Sequence, residues 1–130
     1  MNLVVDASLM VRLLLNVSIN DVVRRRLMPP RVINAPHLID VEVASAIRGL
    51  TLGSRISGHR GEEMCVDLRD LRIVRHPMTV MIPRVLELRN NLTAYDAMYV
   101  VLAEALECPL YTADAKFTGS TGHNADVQVV

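Results

Sequence analysis

The sequence predicts an α/β fold of three layers, α/β/α, around a central and mainly parallel sheet of about four or five strands. Short apolar runs alternate with helical stretches along the chain, which is the pattern of βαβ units. Runs such as Leu3-Val4-Val5 are apolar at every position, as strands buried on both faces of a parallel sheet must be. The length of 130 residues suits one core, so residues 1–130 are expected to form a single domain.

Each element has a local reason. Leu3 to Val5 is the first strand, and Asp6-Ala7-Ser8 opens a helix from Leu9 to Leu15. Asn20 caps a second helix through Leu27 that carries Arg24-Arg25-Arg26, and Pro29-Pro30 stops it. Arg31 to Ala35 is the second strand, ended by Pro36. From His37 to about Leu52 apolar residues recur at helical spacing, with Leu38, Val41 and Ser45 setting the inner face and Gly53 as the stop. Ser57 to Leu71 is a charged amphipathic helix, and Arg72 to His76 a third strand closed by Pro77. A helix runs from about Thr79 to Asn90, and another from Thr93 to Leu106. Pro109 to Thr112 is the fourth strand, Gly119 to Asn124 a loop, and Val127 to Val130 the last strand.

Composition narrows the function. Hydrophobic residues make up 51%, which excludes a disordered chain. The formal net charge of +0 argues against a broad polyanion-binding surface, so a nucleic acid would have to be held by local patches or a dimer groove. Thirteen of the fourteen basic residues are Arg, whose planar fork grips phosphate well. Met1-Asn2 leads straight into the first strand, and no run approaches the roughly 20 apolar residues of a membrane span. Cys65 and Cys108 form no metal-ligand spacing and read as two buried thiols. A cytoplasmic protein without membrane attachment is expected.

Asp6, Glu42, Asp96 and Asp114 stand out because each lies at the end of a strand or in the first turns of a helix. The carboxyl ends of strands in an α/β sheet converge on one edge, where such folds place ligands. Three of the four have an ordinary explanation. Asp6 can cap a helix, Asp114 can cap a turn, and Thr93-Ala94-Tyr95-Asp96 has the spacing of a capping box. Glu42 resists that reading, because it lies in the apolar stretch Leu38 to Ala44 and a half-buried carboxylate without a partner is costly. Asp40 lies about 200° away on the same helix, so one of the two faces solvent.

Together the acids and their flanks resemble the PIN-domain ribonucleases, and within them the VapC-like toxins of toxin–antitoxin pairs. The matching blocks are Val4-Val5-Asp6-Ala7-Ser8, then Val41-Glu42-Val43-Ala44 with Arg48-Gly49. They continue with Leu92 to Ala103, which contains Tyr95-Asp96-Ala97, and with Tyr111-Thr112-Ala113-Asp114-Ala115-Lys116-Phe117. The resemblance implies that Asp6, Glu42, Asp96 and Asp114 bind Mg²⁺ or Mn²⁺ and serve catalysis, with Ser8 and Thr112 as the hydroxyls that support them. It implies hydrolysis of RNA phosphodiesters by metal-activated water, inhibiting translation and growth. Structured RNA such as tRNA or ribosomal RNA is the expected substrate. A small VapB-like antitoxin and a homodimer, or a heterotetramer or larger with antitoxin, are the expected assembly. Arg12, Arg48, Arg89 and Lys116 are candidates for RNA-phosphate contacts, with Arg24 to Arg26 as further candidates on a helix face that is equally well explained by solvation. Asp126, ahead of the last strand, reads as a surface residue.

Two other classes compete. A phospho-acceptor signalling domain wants two adjacent acids after the first strand and an Asp after the third, and this chain offers Asp6 alone and His76. A non-catalytic PIN-fold RNA-binding or scaffold protein would not need the intact acid set. Ser8 has no GxSxG setting, and His37, His59, His76 and His123 lie in no metal-ligand spacing.

Overall fold

The computed structural model describes residues 1–15, 27, 31–117 and 119–130. The helix expected from Asn20 and its Arg24 to Arg26 run lie outside the described residues, apart from the buried Leu27. Five strands form one sheet, wholly parallel: β1 (Asn2–Val5), β2 (Val32–Pro36), β3 (Ile73–His76), β4 (Leu110–Thr112) and β5 (Val127–Val129). Their order is β3-β2-β1-β4-β5. The helices are α1 (Ala7–Leu15), α2 (Leu38–Leu52), α3 (Gly58–Asp70), α4 (Ile82–Glu87) and α5 (Ala94–Leu106).

β1 lies at the centre, and Leu3, Val4 and Val5 are all fully buried. Adjacent strand residues point to opposite faces, so both faces of β1 are covered. One group of helices is α1, α2 and α3, which pack against one another. The other is α4 and α5, with α5 lying across β1, β2 and β4. No helix among the described residues is long and apolar enough to cross a membrane.

The strand order creates the feature on which the site depends. From β1 the chain moves outward to β2 and β3, then returns to place β4 on the other side of β1. The connections that leave β1 and β4 therefore diverge, opening a crevice at the carboxyl ends of these two strands. The pairing of Val5 with Tyr111 sets Asp6 beside Thr112 in that crevice.

Three local expectations need correction. The inner face of α2 is Ile39, Val43 and Ile47, whereas Val41 and Ser45 are exposed. Ile39, Val43 and Ile47 form an i, i+4, i+8 stripe on one helix face, while Asp40 makes a bidentate ion pair with Arg75 on β3 at 2.8 and 2.9 Å. The helix expected from Thr79 to Asn90 is a short 3₁₀ turn, Thr79–Met81, followed by α4. Past Glu87 the backbone continues in i→i−3 turns (Leu88 to Val85, Arg89 to Leu86 and Asn91 to Leu88), and the Asn91 side-chain amide donates to the Thr121 carbonyl. Cys65 is exposed on α3, so only Cys108 is partly buried; both are free thiols.

Helix α5 ends at Glu107, which has φ 50° and ψ 49°. That left-handed conformation costs a side chain about 1 kcal/mol that glycine avoids. Glu107→Gly is expected to stabilise the protein by roughly 1 kcal/mol in urea denaturation. A destabilised variant would show that contacts of the Glu107 side chain outweigh the strain.

Candidate active site

Asp6 follows β1 directly and caps α1, its Oδ1 accepting from the Leu9 backbone N–H at 3.0 Å. Capping needs no more than that, yet two hydroxyls also converge on it. Ser8 donates to Oδ1 at 2.8 Å and Thr112 donates to Oδ2 at 2.5 Å. The same hydroxyls accept from the backbone after β4: Ser8 Oγ from the Ala113 N–H, and Thr112 Oγ1 from the Asp114 N–H. The turn after β1 and the turn after β4 are thus joined through one carboxylate. Asp6 is only 4% exposed. Burial pushes its carboxyl above the ordinary range, while Thr112, the Leu9 N–H, Ser8 and the charge of Lys116 pull it only part of the way back.

Asp114 and Asp96 share one cation. Lys116 Nζ lies 3.0 Å from Asp96 Oδ1 and 3.3 Å from Asp114 Oδ2. The backbone N–H of Lys116 also donates to Asp114 Oδ1 at 2.9 Å, and it is the main reason that this carboxyl sits below its usual range. Burial opposes the charge of Lys116, but the bonds to Asp96 and Asp114 outweigh it and raise the ammonium pKa. Asp96 therefore completes only half of the capping box. Thr93 Oγ1 accepts from the Asp96 N–H at 3.2 Å, while the Asp96 carboxylate turns to Lys116.

Glu42 is half-buried on the border of the inner face of α2. Its Oε1 accepts a 2.5 Å hydrogen bond from the hydroxyl of Tyr99 on α5. Tyr99 is three residues beyond Asp96, on the same face of that helix. Burial, the bond to Glu42, and the nearby charges of Glu42, Asp6 and Asp96 all push the Tyr99 pKa up, so the phenol remains a donor. Three of the acids thus lie within electrostatic range of one hydroxyl, and Lys116 links Asp96 to Asp114.

The donor set suits a hard divalent cation, because all its candidate ligands are carboxylate oxygens. Asp96 and Asp114 already hold a positive group between them, in the form of the Lys116 ammonium. Among the described residues no three acids form a finished cage. Mg²⁺ does not require one, since it usually keeps several waters and takes one or two carboxylates.

Comparison with known proteins identifies the family. No protein-family model matches the chain. Ribonuclease VapC9 of Mycobacterium tuberculosis is 38% identical over 128 residues, covering 98% of each chain. Ribonuclease VapC12 of the same organism is 39% identical over 128 residues, again with 98% of each covered. The chain belongs to the VapC family of ribonucleases. A solved structure of VapBC2 from Rickettsia felis, bound to a DNA fragment from their promoter, has the same fold. Its TM-score is 0.72 at 14% identity, with 99% of this chain and 98% of that one covered.

In this VapC-family chain the basic candidates fall in different places. Lys116 lies among the acids. Arg12 Nη1 donates to the Val130 carbonyl at 3.2 Å, tying α1 to the end of β5. Arg48 is exposed on α2, and Arg89 is exposed with its Nη1 on the Leu86 carbonyl. Asp126 is exposed and accepts from the Gln128 amide. Sequence reasoning gave Tyr99 no role, although a lone hydroxyl in the apolar run Met98 to Leu102, one turn past Asp96, was a usable signal. It also missed that Lys116 bridges two of the acids.

The raised pKa of Asp6 makes a stability prediction. Its contribution favours folding below the unfolded value of about 3.9 and is lost as pH rises through the higher folded value. Asp6→Asn in metal-free buffer should therefore melt higher than wild type at pH 7. The gap should close toward pH 4. A variant that melts lower at pH 7 would show that the hydroxyls fully compensate the buried charge.

Proposed function

We propose that this chain is a divalent-cation-dependent endoribonuclease, the toxin of a toxin–antitoxin pair, which hydrolyses RNA phosphodiesters and thereby inhibits translation and growth. What supports the proposal is that the acids are linked through shared partners: Glu42, Asp6 and Asp96 act on the Tyr99 hydroxyl, Lys116 bridges Asp96 and Asp114, and Asp6 lies at the crevice between β1 and β4. This linkage occurs in a chain whose full-length relatives are named ribonucleases.

Asp6 is the central ligand in this reading, held in place by Ser8, Thr112 and the Leu9 N–H. Asp96 and Asp114 complete the oxygen set, and Glu42 either joins it or accepts a proton from the attacking water. Bound Mg²⁺ or Mn²⁺ supplies an acidified water and relief of phosphate charge during in-line attack. Lys116 is the basic side chain best placed to meet a phosphate at the acids, and exposed Arg48 and Arg89 can hold the RNA backbone farther out. Arg12 is a weaker candidate because its guanidinium is engaged with Val130.

A VapB-like antitoxin and a homodimer, assembled into a heterotetramer or larger, complete the proposal. The Rickettsia felis neighbour is a VapBC2 complex, which supports an antitoxin partner here. Val41 and Leu52 on α2, with Val80 and Leu86 around α4, provide exposed apolar surface for such contacts.

Purified wild type should cleave structured RNA with Mg²⁺ or Mn²⁺ and lose activity in EDTA. Asp6→Asn should lose activity on the order of 100-fold or more, and its induction should no longer arrest growth. Equal cleavage by both proteins would defeat the assignment. Addition of about 5 mM Mg²⁺ should raise the melting temperature of wild type, because ligand binding to the folded state alone stabilises it. Asp6→Asn should show little of that shift.

A further inference from the structure

Tyr99 contacts one of the acids, and the proposed reaction gives it no task. Its ring is part of the core, with the residue only 2% exposed. A phenylalanine would fill the same space, so packing alone gives no reason for the hydroxyl. That hydroxyl crosses from α5 to α2 and donates to Glu42 Oε1. Glu42 needs such a partner. Its side chain is long, it sits on the border of a buried face, and Asp6 and Asp96 are close enough that all three act on one phenol. Like charges favour an outward rotamer for a side chain with that freedom.

We infer that Tyr99 is a positioning residue, whose hydroxyl anchors Glu42 Oε1 and keeps that carboxylate turned toward Asp6 and Asp96. The anchor uses one oxygen and leaves Oε2 available for the cation or its water. Asp96 and Tyr99 lie one turn apart on α5, so the helix that presents Asp96 also fixes Glu42 on α2. Two acids from different helices are thereby held in register by a single rigid element. The donor is neutral, so it orders the carboxylate without adding a positive charge that would compete with a metal ion. This inference rests on the metal-nuclease reading above.

The test is a double-mutant cycle of Tyr99→Phe and Glu42→Gln, with Asp6→Asn as control. Mn²⁺ binding is read by isothermal titration on RNA-free protein, alongside thermal melting. Tyr99→Phe should weaken Mn²⁺ binding about tenfold, the scale of losing a hydrogen bond that orients a ligand. Its melting temperature should fall by no more than about 5 °C. In the Glu42→Gln background the same substitution should change Mn²⁺ affinity by less than about twofold, because its route of action is gone. Wild-type affinity in Tyr99→Phe, or an equal loss in both backgrounds, would overturn the inference. If Asp6→Asn binds Mn²⁺ as tightly as wild type, the metal-site reading fails and takes this inference with it. If Asp6→Asn loses binding and Tyr99→Phe does not, the inference alone fails.

Discussion

A carboxylate buried at the carboxyl end of the central strand organises this molecule. Asp6 could satisfy the start of α1 from a solvated position, as most helix-capping aspartates do. Here the parallel pairing of β1 with β4 draws it into the crevice between the two strands, where water is largely excluded. A charge in that position requires donors on both oxygens, and the chain supplies them from both strand ends. Ser8 comes from the turn after β1 and Thr112 from the end of β4. Because each hydroxyl also accepts a backbone N–H after β4, the buried charge fixes the path on which Asp114 and Lys116 are carried. Geometry at the far side of the site thus depends on solvation of the near side.

The remaining acids illustrate two ways of holding like charges together. Asp96 and Asp114 share an ammonium, a strong interaction between partly exposed groups that solvent also screens. Asp6 and Glu42 are held by neutral hydroxyls from Ser8, Thr112 and Tyr99. Neutral donors remove less of the repulsion, so the Asp6 side of the cluster keeps an excess of negative charge. An excess at a carboxylate as buried as Asp6 is felt more strongly than the same charge on an open surface. The overall charge balance of the chain conceals it completely.

Much of this was legible in the sequence. The central strands announced themselves as short apolar runs, since Leu3, Val4 and Val5 of β1 and Leu110 and Tyr111 of β4 are all buried. Ser57 and Thr93 marked two helix starts correctly, each accepting a hydrogen bond from the N–H three residues later. The inner face of α2 was misread because Val41 is apolar yet 67% exposed, and periodicity cannot distinguish a core valine from one on the surface. The strand order was beyond reach, because no local signal says on which side of β1 the fourth strand will lie. The acids could be named one by one from their flanks. That Asp6 joins two turns, that Lys116 spans two acids and that Tyr99 reaches Glu42 are facts of separation in sequence, spanning 106, 20 or fewer, and 57 residues.

The asymmetry of the cluster bears on how a cation would enter it. On the Asp96 and Asp114 side, Lys116 already provides a positive charge, and a divalent ion gains there only to the extent that the ammonium yields. On the Asp6 and Glu42 side the donors found among the described residues are neutral hydroxyls and a backbone N–H, and burial disfavours the charged form of Asp6. The electrostatic gain from a cation is therefore greatest beside Asp6, and Coulombic attraction there is least weakened by solvent. Lys116, carried on a short turn after β4, thus neutralises Asp96 and Asp114. The carboxylates of Asp6 and Glu42 are held by hydroxyls, so the two halves of the acid set differ in how readily they would accept a cation.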